Sequence, residues 1–261
     1  MEQLIFLFLF ILGLIIGSFL NVVILRYNSG LSPMKGRSKC FSCGHGLVWY
    51  DLVPLFSFLK LLGKCHYCGV KLSWQYPIVE FLSASVFVAL YLKFGLSLDF
   101  IFFAIIFSLL LVISVYDFRH KIIPNGLVYA FIFLGLFYFG FNSLLSGNFN
   151  TDIIWSTLAS FLFFASLWFF SAGRWMGFGD AKLAVGIGLL TTPCQNLSVV
   201  AFSFILGAII SIIYILTVKV KTLFFRRTTS IDKEIPFAPF LVISFALVIL
   251  TGIDYCLMLY V

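Results

Sequence analysis

A chain of 261 residues that is 62% apolar, carries 34 phenylalanines and only 10% charged residues, and has a mean hydropathy of +1.13 cannot be a soluble domain wetted on all sides. In lipid the backbone must satisfy its own hydrogen bonds, so recurring long apolar runs predict an all-α polytopic membrane protein of about eight transmembrane helices. The formal charge of +7 would also suit a nucleic-acid binder, but the placement of the basic residues assigns it to topology, leaving membrane lipid and no nucleic acid as the expected surroundings.

The predicted spans lie at about 3–25, 77–92, 100–116, 126–141, 153–172, 183–192, 197–218 and 236–252. The first is expected to stay as a span, because Met1-Glu2-Gln3 lacks a basic n-region and no small-x-small cleavage site follows it. Within it, Gly13-x-x-x-Gly17-Ser18 offers a small-residue face for close helix packing, with Asn21 one turn on as a polar contact inside the bundle. The stretch 183–192 is short, and a crossing is preferred there over a re-entrant segment on topology counting.

Between the first two spans lies a polar insert, residues 26–76, with Cys40-Phe-Ser-Cys43 and Cys65-His-Tyr-Cys68, each pair followed at once by glycine. Two such knuckles can present four thiolates tetrahedrally, which predicts a structural zinc site; two disulfides or four unligated thiols are the alternatives. His45 and His66 are read as loop residues, because four cysteines already close a shell. Cys194 and Cys256, alone in or beside spans, are read as packing residues. Trp49, Tyr50, Trp74 and Tyr76, punctuated by Pro54 and Pro77, are placed along the membrane interface.

Glu80, near the start of the second span, is a first-turn acid favoured by the helix dipole, a partner for a basic residue, or a group that helps hold a substrate amine. Asp117 closes the third span ahead of Phe118-Arg119-His120-Lys121 and the breaker Pro124-Asn125, making a tight hairpin into the next span. Asp180 follows Gly177-Phe178-Gly179, and glycine freedom at 173, 177 and 179 is expected to loosen the helix end and turn the carboxylate toward a water-filled crevice. Acids at a membrane edge are costly and point to function, and two that meet can share a proton and activate water. Taken singly, each is also a topology-setting or capping acid, and a proton relay in a transporter or a noncatalytic assembly scaffold would use the same residues. Lys182 either tunes the pair or snorkels as an anchor, and His120 is read as positional.

Of 17 Lys and Arg residues, only Lys93 falls on the far side; Arg226, Arg227 and Lys233 join the others on the near side. The positive-inside rule then puts the amino terminus outside, and the insert and both aspartates at the cytoplasmic face of the inner membrane.

These residues together resemble the bacterial type IV prepilin leader peptidases, the membrane aspartic proteases of the GxGD type. The resemblance covers nearly the whole chain: Gly17-Ser18-Phe19-Leu20-Asn21-Val22, the two cysteine pairs, Tyr76-Pro77-Ile78-Val79-Glu80, Asp117 with Ile123-Pro124-Asn125, Gly177 to Leu183, and Pro236-Phe237-Ala238-Pro239-Phe240. It departs from the family pattern at Ala238, where glycine is expected. The resemblance implies a first span at 1–25, a zinc-binding insert at 26–76 and a peptidase domain at 77–261. It also implies catalysis by Asp117 and Asp180 with Gly177, Gly179, Lys182 and Glu80 in support, and zinc on Cys40, Cys43, Cys65 and Cys68. It implies cleavage of a basic leader from type IV prepilins and pseudopilins at a glycine before their apolar stretch. Many relatives that carry the insert also methylate the new amino terminus with S-adenosylmethionine, although no Gly-x-Gly-x-x-Gly after a predicted strand marks a donor site here.

Overall fold

In the computed structural model, residues 2–225 and 235–254 are described, with side chains from 2–217 and 235–254. Arg226, Arg227, Lys233 and Cys256 lie outside the described residues. The described chain is helical, with two isolated antiparallel bridges and no strand among the described residues. It divides into two units, Met1–Val112 and Ile113–Val261, with helix α4 (Leu98–His120) running across the division.

In the first unit, α1 (Glu2–Arg26) packs along α3 (Gln75–Phe94), and the reason is the expected small-residue stripe. A Cβ on Gly13 would sit 2.6 Å from Ala84 Cα, and one on Gly17 would sit 2.7 Å from Glu80 Cα, so neither position admits any side chain at this helix separation. Asn21 continues the stripe: its Nδ2 donates to the Tyr76 carbonyl at 3.1 Å, and its Oδ1 accepts from Gln75 Nε2 at 3.3 Å. The insert between them holds a 3-10 turn (Trp49–Leu52), the short helix α2 (Phe56–Lys60) and two matching hairpins. Gly44 and Gly69 sit at φ +71° and +68°, which explains the glycine after each cysteine pair. Trp49 and Trp74 are exposed.

The second unit holds α5 (Asn125–Ser146), α6 (Thr151–Ser171), α7 (Phe178–Leu189), α8 (Pro193–Phe225) and α9 (Ala238–Thr251). Helix α7 is buried against α5 and α6, where Gly186 takes the Phe131 ring and a Cβ on Gly188 would meet Thr157 Oγ1 at 2.6 Å. Phe164, Phe204 and Phe237 stack into an aromatic joint, with Phe204 and Phe237 centroids 5.1 Å apart.

All eight predicted segments are helical, and six of the described helices are long and apolar enough to cross a membrane: α1, α3, α4, α5, α6 and α8. Helices α7 and α9 have 12 and 14 residues. One reading needs correction: Cys194 is disulfide-bonded, not a simple packing residue.

Candidate active site and metal centre

Helix α4 does not stop at Tyr116; it runs to His120, so Asp117 sits in its last turn, and its carbonyl accepts the Lys121 N–H at 2.7 Å. Lys121 at φ +54° then reverses the chain into Pro124 and α5. Asp180 lies in the first turn of α7, with Gly177 as the residue before the helix. Both side chains are buried, at 5% and 4% exposure. The Ala238 backbone N–H donates to the Asp117 carboxylate, and the Gly177 N–H to that of Asp180. The two acids are near enough for the charge of Asp117 to act on Asp180, and Asp180 Oδ1 is buried without a hydrogen bond. A carboxyl oxygen with no donor is stable as part of a protonated acid, whereas one that accepts an N–H at a helix start tolerates charge.

The glycines act differently from the expectation. Gly177 is extended at φ −76°, a backbone that any residue adopts, and a Cβ there would approach Asp180 Oδ2 at 3.8 Å. Gly179 is needed for proximity: a Cβ would lie 2.8 Å from Ile123 Cβ, so the hairpin after Asp117 presses directly on the turn that carries Asp180. Conformational freedom survives only at Gly173, at φ +76°.

Lys182 donates to Asn125 Oδ1 at 2.9 Å and to Tyr129 Oη at 3.3 Å, and lies 5.2 Å from the Tyr129 ring centroid and 5.3 Å from that of Phe178. It joins α7 to α5. Sequence reading missed this grip, although Tyr129 follows Asn125 by one helical turn. His120 lies against Tyr116, with centroids 4.5 Å apart. Glu80, in the first unit, is buried among backbone rather than paired with a cation: its Oε2 accepts the Leu55 N–H at 2.8 Å, and it is hydrogen-bonded to the Ser18 hydroxyl. It ties the insert to α1 and α3.

The four cysteines of the insert are free thiols whose sulfurs all lie within 4.8 Å of one another, with Cys40 Sγ and Cys68 Sγ 3.9 Å apart. A tetrahedral zinc–sulfur shell at about 2.3 Å implies sulfur separations of about 3.8 Å, so the cluster fits such an ion. N–H groups of Cys43 and Ser42 pull the Cys40 thiol down to about 7. At Cys68 the Val70 N–H also pulls down, but desolvation and the neighbouring sulfurs outweigh it and push the thiol up to about 11. Thiolates this close repel one another, and a bound cation would relieve that crowding.

Residues 11–94 match the bacterial peptidase A24 N-terminal domain, and residues 104–212 match the type IV leader peptidase family. The chain is 33% identical to the prepilin leader peptidase/N-methyltransferase of Myxococcus xanthus over 80% of its own length and 63% of that protein. It is 33% identical to the protein of that name from Bacillus subtilis, covering 88% of each, and 32% identical to that of Vibrio cholerae, over 91% of this chain and 93% of the relative. No solved structure matches. Two buried aspartates brought into one unit, a four-thiol cluster in the insert, and these matches along the chain place the protein in the type IV leader peptidase family.

Proposed function

We propose that the protein is a membrane aspartic endopeptidase that removes the basic leader of type IV prepilins and pseudopilins at the cytoplasmic face of the inner membrane, and that it then methylates the new amino terminus. The observation that carries the reading is the pairing of buried Asp117 and Asp180 across the Gly179–Ile123 contact. Asp117, which accepts the Ala238 N–H, is the ionised member and takes a proton from water; Asp180, whose Oδ1 lacks a donor, is the protonated member and donates to the scissile carbonyl. The water oxygen bonds to the carbonyl carbon. The C–N bond then breaks as the leaving amine takes the proton held by Asp117 and the hydroxyl returns one to Asp180, which re-forms the carbonyl and the starting dyad. The apolar helix of the substrate stays in lipid, and its leader is cut at the glycine before that helix.

In this reading Gly177, Gly179 and Lys182 position α7, while Glu80 fixes the insert on the α1–α3 pair. Zinc would be held by Cys40, Cys43, Cys65 and Cys68 as a structural staple for an insert with little apolar core of its own. S-adenosylmethionine supplies the methyl group when bound. The residues 1–25, 26–76 and 77–261 serve as anchor span, zinc insert and peptidase domain.

The experiment is co-expression with a candidate prepilin, with cleavage read on gels and the mature amino terminus by mass spectrometry. Asp117→Ala and Asp180→Ala should each lower processing by at least about 10^3-fold while the protein still inserts in the membrane. Asp117→Asn keeps an acceptor for the Ala238 N–H and should be equally inactive. Continued conversion of prepilin by any of these variants sinks the dyad, and an unmethylated product with donor present sinks the second activity.

A further inference from the structure

The insert is small and basic, yet one edge of it is strongly apolar. In α2, Phe58 turns inward and is buried, its ring 5.1 Å from that of Trp74, whereas Phe56, Leu59 and Leu62 are 62%, 68% and 83% exposed. Large side chains grouped in this way on a module surrounded by water would invite aggregation, so they need a cover.

The level at which α2 is held identifies that cover. Trp74 immediately precedes α3, and Ile78 and Phe81 follow it on the same helix face, each 52% exposed in a helix long and apolar enough to cross a membrane. The Phe58–Trp74 contact therefore attaches α2 to the lipid-facing side of that helix. The start of α2 is held lower still. The Leu55 N–H donates to Glu80 Oε2 at 2.8 Å, and Glu80 is the sixth residue of α3, about 8 Å along its axis. Leu55 at φ +59° and Leu62 at φ +52° bracket α2 in a backbone that leucine adopts only under constraint, so the segment is pinned at this level. Amphipathic helices at a bilayer surface bury their apolar face to a similar depth, about 5–10 Å.

Charge agrees with this placement. Lys60 is exposed beside Leu59, and Asp51 is the one acid of residues 26–76, set against exposed Lys35, Arg37, Lys64 and Lys71. Such lysines lay their stems along acyl chains and carry their ammonium groups to lipid phosphates. We propose that α2 is an interfacial helix: Phe56, Leu59 and Leu62 dip into the acyl boundary of the leaflet that α1 and α3 enter, and Lys60 with the other cations of the insert rests on anionic headgroups. The insert is thereby held against the membrane, whether or not the chain cleaves or methylates a prepilin.

Leu59→Trp in the full, zinc-loaded chain, reconstituted in phosphatidylglycerol vesicles, reads this placement, with the wild type and its five tryptophans as background. Acyl chains brominated near the headgroup should quench the added indole at least about twofold, and aqueous acrylamide should leave it nearly unchanged. In phosphatidylcholine vesicles the bromolipid quenching should be weaker by about twofold, because the headgroups no longer attract the insert. Should Leu59→Trp lose zinc, Leu62→Trp decides by the same readout. Quenching by acrylamide without quenching by brominated chains, in a variant that retains zinc, overturns the interfacial helix. Equal bromolipid quenching in neutral and anionic vesicles overturns the part assigned to charge. Shielding from acrylamide that develops only when a prepilin is added would make the edge a substrate surface and overturn the lipid assignment.

Discussion

Gly179 shows how a single hydrogen atom sets the spacing between the Asp117 hairpin and the turn that carries Asp180. With a Cβ 2.8 Å from Ile123 Cβ, Gly179→Ala must push the Asp117 hairpin and the first turn of α7 apart, at a cost of about 1–3 kcal/mol. On the proposed dyad, such a displacement should cost cleavage about 10² in rate, because proton sharing between two acids tolerates little misplacement. Removing bulk on the other side, as Ile123→Ala in the Gly179→Ala background, should recover much of that loss in a cleavage assay. If the double variant is no better than the single one, contact with Ile123 is not what Gly179 provides. The sequence pointed to Gly179 for the wrong reason: a motif shows that a glycine is present, not whether freedom or closeness requires it. The partnership of Asp117 with the Ala238 N–H was likewise hidden, because a backbone donor leaves no side-chain trace and the two residues lie far apart in the chain. This bond also bears on the departure at Ala238, since an N–H is offered equally by alanine and glycine.

At the scale of elements, the insert was the most readable part of the chain. Paired cysteines followed by glycines encode a local hairpin with fixed ligand direction, and little tertiary context is needed to complete it. The α1–α3 seam was also legible, because Gly13, Gly17 and Asn21 recur every four residues and fall on one helix face. The start of α7 was not: hydropathy begins at Leu183, but the helix begins at Phe178, since buried helices accept polar first turns that a membrane scan skips. Metal binding by the insert should follow pH in a definite direction. Ligation needs thiolates, and with Cys68 lying near 11 in the free cluster, binding must displace protons. Affinity should therefore fall as pH drops from 8 to 6, and Cys40→Ser or Cys68→Ser should lose stoichiometric zinc at any pH in that range. Metal analysis after dialysis checks both, and pH-independent retention with either serine variant would rule out a tetrathiolate site.

For the whole molecule, composition alone excluded a soluble protein, and the basic residues proposed which side each loop occupies. Helix count was less legible than helix position, because length along the sequence does not say whether a short apolar segment crosses or is wrapped by its neighbours. At about 1.5 Å per residue, the 12 residues of α7 extend only about 18 Å, and the 14 of α9 about 21 Å, against a hydrocarbon core near 30 Å. Two of the helices that hold the acids in place are thus shorter than the hydrocarbon core, and their longer companions alone set the match to the membrane. Bilayer thickness becomes a control on the proposed cleavage: reconstituted in bilayers of increasing acyl length, the enzyme should lose cleavage rate steadily while remaining folded, as the thicker sheet draws lipid over the level of Asp180.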